Sequence, residues 1–388
     1  MALDILTPIS ESVLAKKLLF SSKSIGNQID LHSLQSGLPS IENVDLAVIG
    51  VLEHRRDDNY LGGSFELDAI REQFYSLYPG NWDKKMVDLG NLQAGNTVED
   101  TYFALKQIIE VLFERGIVVL LLGGSQDVAY AQYRSYDDHH KMINIVNVDA
   151  GFDLGDADDE LSNKSYVGKI VVDKPYNLFN YSNVGYQTYF NAQEEINLIE
   201  KLYFDAYRLG EVSNHISSVE PVMRDANMVT VDVSSIAASA LGSKTHTSPN
   251  GFDGKEICAL SRYAGISDKV TSFGIYELQR NYASATAAML IAQMMWYFIE
   301  GVNYRKNETN LNAKEKFTKY QVPIDEDVLI FYKSEKSGRW WVEIPFIPNV
   351  SNKLKRHTLL PCTQQDYLDA CNQQIPERWY KARRKNEV

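Results

Sequence analysis

Three polar runs in this chain each follow an apolar stretch, and each carries aspartate where a buried strand would end. They are Leu121-Leu-Gly-Gly-Ser-Gln-Asp127, Asn147-Val-Asp-Ala-Gly-Phe-Asp153 and Thr230-Val-Asp-Val-Ser-Ser-Ile-Ala-Ala238. Ligands of open parallel sheets bind outside the carboxyl ends of the strands, where such loops emerge. Aspartates there can serve a ligand, or they can simply cap the helix that follows. His246, in Ser243-Lys-Thr-His-Thr-Ser248, sits in the loop after the third strand and could reach the same end; the plainer reading is an incidental loop histidine. Asp156-Ala-Asp-Asp-Glu160 is an acidic run with no 12-residue EF-hand pattern around it, so a solvated loop is expected rather than a Ca²⁺ site.

The elements that must position these loops alternate along the chain. Asp45–Val51 reads as a buried strand, and Thr101–Arg115 as a helix with Leu105, Ile108, Ile109 and Leu112 on one stripe and Gly116 as its stop. Ile117–Leu122 is a continuous β-rich run without alternation, as a parallel strand covered on both faces requires. The spacing then predicts a helix over Asp127–Tyr136, a strand over Met142–Val148, a helix over Glu194–Leu209, a strand over Asn227–Val233, a helix over Gly254–Tyr263, a strand over Val270–Tyr276 and a helix over Tyr282–Ile299. Strands alternating with helices imply crossover connections, hence a three-layer α/β/α unit with a mainly parallel sheet. After residue 302 the character changes. Asn303–Lys319 is polar, a solvated connection. Val328–Lys333 and Arg339–Phe346 flank Glu335–Gly338 as a β-hairpin, and Cys362–Val388 is helical in part, with a basic stretch at Lys381–Lys385. The organisation expected is an N-terminal helical segment (1–40), an α/β core (41–302) and a C-terminal extension (303–388).

The order and spacing of the three loops resemble the ureohydrolase family (arginase, agmatinase, formimidoylglutamase), whose signatures are GGDHS, DAHxD and SxDxDxxDP. Gly123-Gly-Ser-Gln-Asp127 is similar to the first, Asp149-Ala-Gly-Phe-Asp153 to the second and Thr230–Ala238 to the third. Tyr181-Ser-Asn-Val-Gly-Tyr-Gln187 points to the formimidoylglutamase branch. The resemblance implies a site in which two His and four Asp hold two Mn²⁺ ions that activate water. Carried over position by position, this ligand set is degenerate. Asp149, Asp153 and Asp232 are kept, but Gln126 and Gly151 stand where the family has His, Ser234 where it has Asp, and Ala237 in place of the Asp of Asp-Pro. One metal thereby loses both dedicated ligands, at 151 and 234. The other could keep Asp149, Asp153 and Asp232 with the amide oxygen of Gln126, an all-oxygen set suited to Mn²⁺, Mg²⁺ or Ca²⁺. Without a metal, three converging carboxylates would need a proton or a base, with Lys244 or an arginine from another loop as the candidate. Glu277 falls where family members hold a carboxylate facing the substrate's cationic head; a salt-bridged surface glutamate is the plainer reading.

Three function classes follow as expectations. The first is a catalytically impaired ureohydrolase homologue, a pseudoenzyme acting as a binding or scaffold protein with no cofactor. The second is a one-metal hydrolase of C–N bonds in linear amidines or guanidines. The third is a small-molecule sensor. With 388 residues, 39 Lys+Arg against 51 Asp+Glu give a net charge of −12, which argues against nucleic-acid or anionic-membrane binding. Cys258, Cys362 and Cys371 fit no zinc spacing and read as reduced, buried thiols, and the N-terminus does not read as a signal peptide, so a cytoplasmic location is expected. Tyr282–Ile299 approaches membrane-spanning length but contains Gln293 between Arg280 and Glu300, which favours a buried helix. The family resemblance suggests a homo-oligomer, and Trp340-Trp341 in the hairpin is the candidate surface for a second copy or another protein.

Overall fold

An apolar run such as Val118–Leu122 points successive side chains to opposite faces, so it folds only where both faces are covered. In the computed structural model this is what the central strands do. Leu120 and Leu122 enter one hydrophobic cluster with Val48 and Val146, while Val119 and Leu121 enter another with Ala47, Ile49 and Ile145. The structure describes residues 2–139, 142–156, 160–242, 248–280, 284–308, 317–324, 327–344 and 359–387.

The strands of the main sheet are β1 (Asp30–Leu31), β2 (Leu46–Leu52), β3 (Met86–Gln93), β4 (Val118–Leu122), β5 (Ile143–Val148), β6 (Leu178–Tyr186), β7 (Asp205–Arg208), β8 (Met228–Asp232) and β9 (Ser272–Tyr276). Their order is β1-β3-β2-β4-β9-β8-β5-β6-β7, and every neighbouring pair is parallel. Helices Asp68–Ser76, Gly254–Ile266 and Ala285–Asn303 supply residues to one cluster, and Val98–Glu114, Val128–Arg134 and Tyr166–Val172 to the other. The result is a three-layer α/β/α fold with a nine-stranded parallel sheet.

Several elements depart from expectation, among them strand β6 and helix Tyr166–Val172, which were not foreseen. The helix anticipated over Glu194–Leu209 ends at Lys201; Tyr203 adopts a left-handed φ of 55°, which breaks the helical path, and Asp205–Arg208 form edge strand β7. Strand β3 went unrecognised because Asp88, Gly90 and Asn91 interrupt its apolar pattern. Those polar groups are buried around Arg71, which has no exposed surface. Arg71 Nε donates to Asp88 Oδ2 (2.9 Å), Nη2 to Asp88 Oδ1 (3.1 Å) and to the Gly90 carbonyl (3.0 Å), and Nη1 to Asn91 Oδ1 (2.7 Å). Tyr75 Oη donates to Asp88 Oδ2 at 2.7 Å and the Gly90 amide to Asp88 Oδ1 at 2.9 Å, so the pair is closed by hydrogen bonds on both sides.

Helix Ala285–Asn303 is long and apolar enough to cross a membrane by length and composition, yet 61% of that window is buried within the chain. It packs on helix Gly254–Ile266 closely enough that a Cβ on Gly265 would meet the Phe298 carbonyl oxygen at 2.1 Å. It is a core helix, starting at Ala285 under a Ser284 cap.

The expected hairpin is the middle of a larger unit. β10 (Phe317–Ile324), β11 (Asp327–Ser334), β12 (Trp340–Glu343) and β13 (Leu359–Cys362) form a four-stranded antiparallel sheet in that order. Phe317–Lys319, expected in a solvated connection, open β10. Trp340 and Trp341 point to opposite faces, and both are buried by the chain itself. Trp340 stacks on Tyr367 and tilts against Tyr320, whereas Trp341 lies under the Arg224 guanidinium at 4.5 Å and beside Phe317. The indoles are therefore covered within the chain. Arg224 also donates from Nη1 to the Trp340 carbonyl (3.1 Å) and from Nη2 to the Cys362 carbonyl (3.0 Å), tying the second sheet to helix Glu220–Asp225 of the α/β unit. Helix Glu377–Glu387 places Lys381 against Asp205 and Lys385 against Asn180, so the basic stretch docks on the β6–β7 edge. Cys258 and Cys362 are buried free thiols; Cys371 is exposed, against expectation.

Candidate functional site

Strands β4, β9, β8 and β5 are adjacent, so the loops at their carboxyl ends meet on one rim of the sheet. Asp232 is the last residue of β8 and Asp149 follows β5 directly. With Asp153 they converge: one carboxylate oxygen from each lies within 4.8 Å of the others, and all three residues are buried. Much of their bonding capacity serves the loops themselves. Asp149 Oδ1 accepts from the Gly151 amide (3.0 Å) and Oδ2 from Asn147 Nδ2 (3.1 Å), while Asp232 Oδ1 accepts from the Ser234 amide (2.6 Å). Asp153, held at a left-handed φ of 51°, accepts from Lys164 Nζ at 3.1 Å through Oδ1, whereas its buried Oδ2 has no hydrogen-bond partner.

The electrostatics follow from this crowding. Burial, then the charges of Asp153 and Asp232, push the Asp149 carboxyl well above the usual range. Burial likewise raises Asp232, against the pull of Lys164. The Asp153 carboxylate in turn holds Lys164 firmly in its ammonium form. Among the described residues the base beside these carboxylates is Lys164, in the segment after the second loop; Lys244 and His246 lie outside the described residues.

A cavity of about 350 Å³ opens over the cluster, lined among others by Asp149, Gly151, Asp153, Lys164, Glu195 and Ser234. A Cβ at Gly151 would meet Asp153 Oδ1 at a tight 3.3 Å and Asp149 Oδ1 at 4.0 Å, so a side chain there requires Asp153 to give by a few tenths of an ångström. Ala237 is buried in the loop, its amide bonded to the Phe252 carbonyl, and does not line this cavity.

Gln126 and Glu277 belong to a layer behind the cavity. Gln126 has no exposed surface. Its Nε2 donates to Asn147 Oδ1 and to Tyr166 Oη, both at 3.1 Å, and its Oε1 is buried without a hydrogen-bond partner. Glu277, 2% exposed and at a left-handed φ of 61°, accepts from the Gln126 amide (2.9 Å), Asn163 Nδ2 (3.1 Å) and Gln279 Nε2 (3.0 Å). It is neither a surface glutamate nor a wall of the cavity; it clamps the first loop. Asn147 links the two layers by touching Gln126, Asp149 and Thr230 Oγ1. Asn147, Asn163 and Lys164 were not singled out from the sequence, although an asparagine inside the strand Met142–Val148 was a visible signal.

Among the described residues the converging donors suit one divalent cation. Three converging carboxylates make an oxygen-only site for a hard divalent ion, Mn²⁺, Mg²⁺ or Ca²⁺. At positions 151 and 234 the chain offers no side chain and a neutral hydroxyl.

Residues 44–300 match the Arginase family. A formimidoylglutamase of Staphylococcus aureus (strain MSSA476) is 25% identical over 244 residues, covering 60% of this chain and 78% of that protein. Among solved structures, a Trypanosoma cruzi formiminoglutamase crystallised with Mn²⁺ is similar with a TM-score of 0.60 at 16% identity, over 68% of this chain and 95% of the other. A Bacillus subtilis formimidoylglutamase gives 0.61 at 16% identity, over 71% and 93%. At such identity the structural likeness speaks for the fold alone.

Proposed function

The chain belongs to the arginase family, and from that premise we propose that it is a formimidoylglutamase-like hydrolase of C–N bonds in linear amidines or guanidines, working with one divalent cation. The observation that carries this reading is the convergence of three buried carboxylates, Asp149, Asp153 and Asp232, the first two of which line a substrate-sized cavity. These residues would hold the ion, and an ion of this kind supplies Lewis acidity and an activated water. The chain's own part is to bind and orient. An excess of negative charge over the single ammonium of Lys164 favours a cationic amidinium in the cavity. Glu195 and Asn191 line its wall, and the Gln126–Asn147 layer fixes the Asp149 carboxylate from behind.

The test is release of formamide, ammonia or urea from formimino-glutamate, agmatine and arginine with Mn²⁺ present, beside metal analysis. Asp232→Ala should abolish metal uptake and turnover together while the protein stays folded; unchanged metal uptake in that variant would refute the assignment.

A second reading is favoured by Gly151, Ser234 and the Lys164–Asp153 pair: a catalytically impaired homologue that binds ligand or protein without turnover. It expects no product from any of the three substrates. A thermal shift with one of them would then mark a sensor, and none would point to a scaffold.

A further inference from the structure

We infer that Lys164 is a built-in, displaceable counter-cation of this site, so that a divalent ion enters only by expelling its ammonium from Asp153. This rests on the one-cation reading above and concerns what the chain itself does before the ion arrives. Among the described residues, Lys164 is the one basic side chain in contact with the three carboxylates, through the 3.1 Å pair with Asp153 Oδ1. Its backbone is held on both sides. Asn163 is buried, its amide bonded to the Arg56 carbonyl (3.1 Å) and its side chain to Asp57 (3.3 Å) and Glu277 (3.1 Å). Ser165 Oγ donates to the Glu160 carbonyl (2.7 Å), and Tyr166 is fully buried with its hydroxyl on Gln126.

The side chain of Lys164 is the opposite of this frame. It is 48% exposed and lines the cavity, so its flexible four-carbon stem can swing the ammonium into water without moving the backbone. A half-exposed lysine pair is weakly held, whereas three carboxylates offer a divalent ion far more than one ammonium does. The same ammonium that makes the empty cluster tolerable is therefore the first group a metal must displace.

The experiment titrates MnCl₂ into wild type, Lys164→Met, Lys164→Gln and Lys164→Arg, reading bound Mn²⁺ by electron paramagnetic resonance and calorimetry, with thermal melts to confirm folding. Removing an opposite charge at this range shifts a neighbouring equilibrium by one or more powers of ten, so the Met and Gln variants should bind Mn²⁺ at least about tenfold more tightly, and the Arg variant no more tightly than wild type. In wild type, acetylation of Lys164 followed by mass spectrometry should accelerate when Mn²⁺ is added. Equal or weaker binding by both neutral variants overturns the inference and leaves the one-cation reading standing. Binding by the neutral variants but not by wild type supports the inference and removes the metal-dependent hydrolase reading. Absence of binding in all four overturns both.

Discussion

Two ion pairs with buried carboxylates flank the same sheet, and they are built on opposite plans. Around Arg71 and Asp88 one guanidinium meets one carboxylate in a two-point contact with no solvent exposure, and Tyr75, Asn91 and Gly90 take up the remaining hydrogen bonds. Around Lys164 a single half-exposed ammonium faces three buried carboxylates, and one oxygen of Asp153 has no hydrogen-bond partner. The first pair is electrically complete and closed; the second is incomplete and open to a cavity. Buried charge that is fully matched maintains a fold, while buried charge left short of a partner is a place for a ligand.

The contrast can be broken at several points. The largest effect is expected from Arg71→Met, which strands Asp88 and should cost about 3–5 kcal/mol in urea unfolding. A loss under about 1 kcal/mol would put Arg71 in the class of weak surface pairs and dissolve the distinction. At the other site, Asp232→Asn removes one of three mutually repelling carboxylates and keeps an acceptor for the Ser234 amide. Its stability should stay within about 1 kcal/mol of wild type or rise, while Mn²⁺ affinity falls by about tenfold or more; a large loss of stability would make this cluster structural after all. The combined Gly151→His and Ser234→Asp change sharpens the contrast, and it requires Asp153 to yield a few tenths of an ångström to the new side chain. Calorimetry should then show a second Mn²⁺ equivalent.

The smallest effect concerns acid. Burial alone would raise the Glu53 carboxyl, but hydrogen bonds from Arg55 and Thr101 outweigh it and hold the group below its usual range. A depressed carboxylate contributes stability that is present above the unfolded value of about 4.3 and is lost as pH falls through the lower folded value. Wild type should therefore lose stability more steeply than Glu53→Gln on acidification below about pH 4.3, followed by chemical denaturation.

How much of this was legible in the sequence depended on whether neighbours in the chain carried the signal. Strands β4, β5, β8 and β9 are near-continuous apolar runs, so they and the aspartates at their ends could be read directly. Strand β3 could not, because its Asp88 makes sense only beside Arg71, a helix residue 17 positions away. The same holds at the site. The convergence of Asp149, Asp153 and Asp232 follows from the order of strand-end loops, and the need for a basic partner follows from their charge. Which lysine answers that need is set by a loop path that no local pattern encodes. Glu277 misled for a related reason: its place at a strand end is plain, but its hydrogen bonds to Gln126, Asn163 and Gln279 turn it into a clamp. Trp340 and Trp341 looked available because the strands on either side of β12 and the helix behind it were not all foreseen.

Arg224 has a bearing on how the molecule is made. Its guanidinium belongs to the α/β unit, yet its acceptors are carbonyls of residues 340 and 362, and its aromatic cover is Trp341. During synthesis the α/β strands leave the ribosome long before those partners exist. Over that interval the guanidinium has Glu220 of its own helix at 3.3 Å but neither carbonyl acceptor nor indole, and its full enclosure waits until Cys362 has emerged. A nascent chain stalled before that point is expected to be protease-sensitive around helix Glu220–Asp225, and completion of the last strand to protect a helix more than a hundred residues upstream.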